Sequence, residues 1–278
     1  MSIPGRQSCE NELASAMTLP KLLILFPALA VTVSLPGGEI ARGFQPKCNL
    51  APHFSRMNKF DRMCPAEGNS PDSRLREQSR IQNDFCAKGP AIPLSNSDFV
   101  EMQVVAERLA QRFQSYDFFP ADRSVLRQIY AARNFQRVGE GSQVTLTGYV
   151  QGITHSLGQS AFCSQTGDEN LPFYLAIKAD LSVKDPCSGV VTEINPHLRP
   201  EAWAYVDLRS LQGSRAKVKV TGQLFYNSQA RTCQQGRGGG FPRASAWQIS
   251  PVYDIETCSQ DGVCTSLAAK APRNPPGK

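Results

Sequence analysis

VTLTGYV at residues 144–150 alternates Val144, Leu146, Gly148 and Val150 with Thr145, Thr147 and Tyr149, a period of two that marks a strand with one buried face. The rhythm returns in FYLAIK at 173–178 and in the shorter GVVTEI at 189–194. Asn195-Pro196 ends that third strand. Pro200 at a first helical position, Glu201 in the first turn and Gly213 beyond the end then bracket a helix carrying Trp203, Val206 and Leu211. VKVTGQLFY at 218–226, with a bend at Gly222, and the segment from Ala246 to Thr257, where Pro251 forces a bulge or an edge, supply two more strands. Three strands, a helix and two strands, with a glycine in the long first strand, predict a mainly β chain built on a five-stranded OB-like barrel. Another small open Greek-key barrel is the alternative.

The reading extends outward from there. Residues 139–264 form the predicted barrel, and residues 98–138 a helical extension. In it, Asp98 and Glu101 suggest a capping box, and Phe99, Met102, Val105, Leu109 and Phe113 recur at helical spacing. A second short helix is expected from Asp122 or Ser124 to about Arg133. Residues 42–97, rich in Asn, Pro, Ser, Arg and Asp, read as an irregular cysteine-tied segment, and residues 265–278 as a disordered tail.

LLILFPALAVTVSL at 22–35 follows Lys21 and is too short, with Pro27 inside it, to span a bilayer. It reads as the apolar core of a signal peptide covering residues 1–41, with Met17 as the expected true start and cleavage after Ala41, or alternatively at Ala30 or the small residues near Gly38. A retained anchor is the alternative and the sole expected route to a membrane. The chain is therefore expected to be secreted or periplasmic. Of nine cysteines, the leader would remove Cys9 and leave eight, an even number in an oxidising compartment. The pairs expected are Cys163 with Cys187, and Cys233 with Cys258 or Cys264. No C-x-x-C pair occurs and His53, His155 and His197 are far apart, so neither metal nor cofactor is expected.

A net charge of +6 over 278 residues is mild and leaves room for an anionic partner without demanding one. The loop RTCQQGRGGGFPR at 231–243 gathers Arg231, Arg237 and Arg243 around glycines and reads as a basic finger or a plain connection. It joins the fourth and fifth strands, and OB-type barrels take their ligands on the face of strands two and three, flanked by this loop and the one joining strands one and two. Tyr174 and Trp247 could stack on rings, although Trp247 and Phe225 also suit a core. Glu193, mid-strand, is either solvated or paired with Arg199, Arg209 or Arg243. His197 reads as a turn residue. No nucleophile elbow, H-E-x-x-H or phosphate-cradling motif is present.

QNDFCAKG, VLRQIYAARN, VVTEINPHLRP, VKVTGQLFYNS and RASAWQISPVYDIETC together resemble a family of exported bacterial proteins of unknown function, over about Ile81 to Cys258. The resemblance implies a polar or metal-capable site on the barrel, with a last strand of the form W-E-I-H-P-V. Glu193, His197, Arg243 and Trp247 match. Gln248 replaces the glutamate, Ser250 the histidine, and Leu171 to Tyr174 offer neither the aspartate nor the histidine of the family's second strand, which favours binding over turnover. The expectation is a monomeric module binding a polar or anionic ligand, a glycan or a nucleic acid. A hydrolase or nuclease-like enzyme using Glu193 with Arg243, and a structural envelope component, are the other readings.

Overall fold

The computed structural model describes residues 43–54, 57–112, 123–132, 136–235 and 241–269; the leader, Phe113, Arg237 and the tail beyond residue 269 lie outside them. In chain order the regular elements begin with helices α1 (Lys59–Met63) and α2 (Ser73–Gln82), strand β1 (Lys88–Leu94) and helix α3 (Asn96–Arg112). A short pair follows, β2 (Tyr130–Ala131) with β3 (Arg137–Val138). The barrel strands are β4 (Ser142–His155), β5 (Phe173–Lys178), β6 (Val190–Ile194), β7 (Lys217–Tyr226) and β8 (Trp247–Cys258), with helix α4 (Tyr205–Arg209) between β6 and β7 and β9 (Cys264–Ser266) after them.

The five strands close in the order β4-β5-β6-β8-β7, with β7 returning to β4. All of these pairings are antiparallel except β6 with β8, and that is the OB-type barrel expected. Within the barrel β4 serves two neighbours: residues 143–148 pair with β7 and 149–155 with β5. Gly148 lies at the changeover, where a Cβ would come within 2.3 Å of the Lys178 carbonyl oxygen. A register shift between Val150 and Gly152 completes the bend. β8 bulges where Pro251 stands, since Gly222 pairs with Val252 but Leu224 with Ile249.

The interior is filled by the inward residues of these strands, among them Val144, Leu146, Leu175, Ile177, Val190, Val218, Val220, Leu224, Trp247 and Ile249, all buried. The helix between β6 and β7 is shorter than its sequence brackets: a 3-10 turn Glu201–Trp203 leads into α4, burying Trp203 and Leu208.

The N-terminal extension is helical and disulfide-tied, but residues 42–97 are far from irregular. Asn58 and Asp61 cap α1 reciprocally, Asp72 caps α2, and β1 lies parallel against β4. At α3 the capping pair is Ser95 with Asp98, since the Asp98 carboxylate accepts from the Ser95 backbone N–H at 2.7 Å. Phe99, Met102 and Ala106 form its buried stripe. In place of the second expected helix there is a 3-10 turn Arg123–Leu126, and the chain folds back so that the Glu140 N–H donates to the Leu126 carbonyl at 2.8 Å.

All eight cysteines are paired, as Cys48–Cys86, Cys64–Cys163, Cys187–Cys233 and Cys258–Cys264. The pairs Cys163–Cys187 and Cys233–Cys258, and Cys233 with Cys264, do not form. The reason is strand length. Cysteines before and after one strand sit at its opposite ends, and even the six residues of β5 span roughly 20 Å, whereas a disulfide bridges Cα atoms only about 4.4–6.8 Å apart. The bonds instead join two points of the extension (Cys48–Cys86), the extension to the barrel (Cys64–Cys163), two barrel loops (Cys187–Cys233) and the paired strands β8 and β9 (Cys258–Cys264).

Candidate functional site

On the outer face of β5, β6 and β8 the alternation places Tyr174, Glu193, Gln248 and Ser250 side by side, with Tyr174 directly opposite Glu193. Outward residues of a barrel normally meet water. Here α2 lies across them, and its buried residues are Gln78, Ser79 and Gln82, so the seam between helix and sheet is polar throughout. Glu193 has no exposed surface. Its carboxylate accepts from Gln82 Nε2 at 2.9 Å on both oxygens, from Tyr174 Oη and Ser250 Oγ at 2.9 Å, and from Gln248 Nε2 at 2.6 Å. Burial pushes its pKa up, against the pull of these donors and of the Arg243 charge.

Arg243 stands one step further out. Its Nη1 donates to Gln248 Oε1 at 2.9 Å, so Gln248 bridges cation and carboxylate. Burial lowers its pKa, with Tyr174 and Glu193 opposing. On the other flank the Tyr174 hydroxyl also accepts from Gln159 Nε2, and burial, followed by the Glu193 charge, raises the tyrosine pKa well above its ordinary value.

Of these groups, Gln82, Tyr174, Gln159 and Arg243 line a cleft of about 1050 Å³, with Glu193, Gln248 and Ser250 behind its wall. α2 contributes Gln78, Ser79 and Gln82; the end of β4 and the loop after it contribute His155, Leu157 and Gln159; the segments flanking the β7–β8 loop contribute Asn227, Gln229, Arg231, Phe241 and Arg243. The disulfide Cys187–Cys233 and a hydrogen bond from the Cys233 N–H to the Arg243 carbonyl at 3.1 Å hold that last wall to the barrel. Among the described residues lining the cleft there is no Asp or Glu. Nor do three His, Cys, Asp or Glu converge anywhere among the described residues as a metal would require.

Of the residues expected at a ligand face, Tyr174, Arg231 and Arg243 line this cleft, and Glu193 supports it from behind. Trp247 does not join them: it is buried in the barrel core, its ring edge-on to Tyr226 at 5.1 Å. Arg237 lies outside the described residues. Arg199 is occupied elsewhere, donating to the carbonyls of Asp168, Glu169 and Leu171. Sequence reading missed Gln82 and Gln159. The one signal for Gln82 was Asp72 as an N-cap ahead of ten residues free of Gly and Pro.

His197 belongs to a separate buried pair. Its Nδ1 lies 3.0 Å from Asp61 Oδ1, its ring stacks on Phe44 at 4.3 Å, and Nε2 has no partner among the described residues. With Asp61 accepting, Nδ1 carries the proton and neutral imidazole fits the apolar surroundings; burial lowers the histidine pKa. The pair fastens α1 to the turn after β6 and is not among the residues lining the cleft described above.

No protein-family model, curated protein or solved structure matches the chain. Among the described residues no helix is long and apolar enough to cross a membrane.

Proposed function

We propose that the chain is an exported, monomeric binding module, secreted or periplasmic, whose cleft takes an anionic, hydroxyl-bearing ligand. The observation that carries this reading is Arg243. It is 7% exposed, sits on the cleft wall, and makes one side-chain hydrogen bond among the described residues, which leaves four of five guanidinium N–H donors for a ligand. A buried cation with unused donors suits a bound carboxylate, phosphate or sulfate. Arg231 on the same cleft adds to the positive field.

Four disulfides fit an oxidising compartment, and the likeness to an exported bacterial family agrees with it. The enzyme reading loses ground because Glu193 is covered on every side and engaged by four side chains. A general acid or base must reach its substrate; Glu193 instead orients Tyr174, Gln82 and, through Gln248, Arg243.

Calorimetric titration of the oxidised protein with acidic and neutral oligosaccharides of equal length tests this. Acidic ones should bind, and Arg243→Ala should weaken them by about 2 kcal/mol, roughly thirtyfold. Equal binding of neutral and acidic chains, or an unchanged Arg243→Ala affinity, would overturn the reading.

A further inference from the structure

We propose that the cleft is shaped for a carboxylated pyranose, the sugar ring resting on Phe241 while its carboxylate meets Arg243. This deepens the anionic-ligand reading above and depends on it. Phe241 is half-buried and lines the cleft. Its ring sits against Gly152 of β4, where a Cβ would come within 2.8 Å of Cζ and 3.3 Å of Cε1. A glycine inside a strand weakens it and commonly marks a close approach; at Gly152 what approaches is an aromatic side chain on the cleft wall.

Phe241 and Arg243 are two residues apart, so their Cα atoms are separated by at most about 7 Å. Both side chains line the same cleft, so one ligand can lay an apolar face on the ring and present its carboxylate to the guanidinium. The opposite wall supplies what ring hydroxyls need. A carboxylate only accepts hydrogen bonds, so Gln82 must turn Nε2 toward Glu193, which leaves its amide oxygen as an acceptor. Gln159 likewise gives Nε2 to Tyr174 and keeps its oxygen.

A nucleic acid fits less well. Single strands are held by successive exposed rings; of the other rings among the described residues lining the cleft, Tyr174 is buried with its hydroxyl bonded on both sides, and His155 is engaged edge-on with Tyr205 at 5.3 Å.

The test titrates the oxidised wild type, Gly152→Ala, Phe241→Leu and Arg243→Ala with trigalacturonate, a hexaglutamate peptide and a six-residue oligothymidylate, with thermal melts to verify folding. The wild type should bind trigalacturonate. Gly152→Ala, which displaces the ring, and Phe241→Leu, which removes it, should each weaken trigalacturonate roughly tenfold and leave hexaglutamate within about twofold, whereas Arg243→Ala should weaken both. Hexaglutamate binding without trigalacturonate would overturn the pyranose and leave the anion reading standing; failure of both would remove both. Equal losses for the two anions in the ring variants, no loss in either, or tighter binding of oligothymidylate than of trigalacturonate would also overturn the proposal. If Gly152→Ala fails to fold, Phe241→Leu decides.

Discussion

Two buried carboxylates sit on the same barrel, and α2 touches both clusters from positions one turn apart. At one, Glu140 meets Arg123 directly: Nε donates to Oε2 at 2.8 Å and Nη2 to Oε1 at 2.5 Å. Arg123 also holds the Tyr226 carbonyl and Gln78 Oε1, and Glu140 accepts the Tyr226 N–H. At the other, Glu193 is met by four neutral side chains, Gln82 among them, and Arg243 is kept one amide away. The first arrangement uses four of the five guanidinium donors within the protein and closes a joint between β7, the turn before β4 and α2. The second satisfies the carboxylate and leaves most of the guanidinium unused. Similar residues at similar burial thus make a fastening in one place and a binding wall in the other.

The sharpest way to break this comparison is Arg123→Met, which strands Glu140 as an uncompensated buried charge. Urea unfolding should show a loss of about 3–5 kcal/mol; a loss under about 1 kcal/mol would mean that the joint is ornamental. Glu193→Gln comes next. An amide cannot accept four donors, so a loss of about 2 kcal/mol is expected, together with weaker anion binding as Gln248 ceases to orient Arg243.

The third buried pair, Asp61–His197, gives a pH test. The folded-state pKa of His197 lies below its ordinary 6.5, so the unfolded chain binds the proton first as pH falls. Stability should be full above about pH 6.5 and decline below it until the folded pKa is reached, at no more than about 1.4 kcal/mol per pH unit from this group. Replacing His197 by Gln should flatten that part of the unfolding profile; an unchanged profile would assign the acid sensitivity elsewhere. Arg243→Met is expected to have the smallest effect on stability, within about 1 kcal/mol or stabilising, because a poorly paired buried cation gives way to an apolar chain of similar size. Its anion affinity should nevertheless fall as for Arg243→Ala, and a stability loss matching that of Arg123→Met would erase the distinction.

The barrel was legible in the sequence because each strand carries its own period of two and its own stop, and the order of elements leaves few ways to close them. The cover over Glu193 was not. α2 buries Gln78, Ser79 and Gln82, so no apolar stripe announces which face is inward, and a helix that docks by hydrogen bonds looks like a solvated one. The same gap hid the burial of Glu193, whose exposure depends on a helix more than a hundred residues earlier. The disulfides failed for a different reason: cysteines close in sequence lie at opposite ends of a strand, and Cys64 and Cys163, 99 positions apart, meet only once the extension has packed on the barrel. Arg243 and Tyr174 were found because the loop and face positions of this fold point to them directly.

Strand β1 also sets how the sheet ends. It pairs along the outer side of β4 and becomes the margin of the sheet, where a row of unused backbone groups would invite a strand from another molecule. Its sequence, KGPAIPL, carries Pro90 and Pro93, two positions with no N–H to offer. At the other margin β9 is three residues long and bound to β8 through Cys258–Cys264. Edge-to-edge growth into fibrils is thereby obstructed at both margins of the sheet.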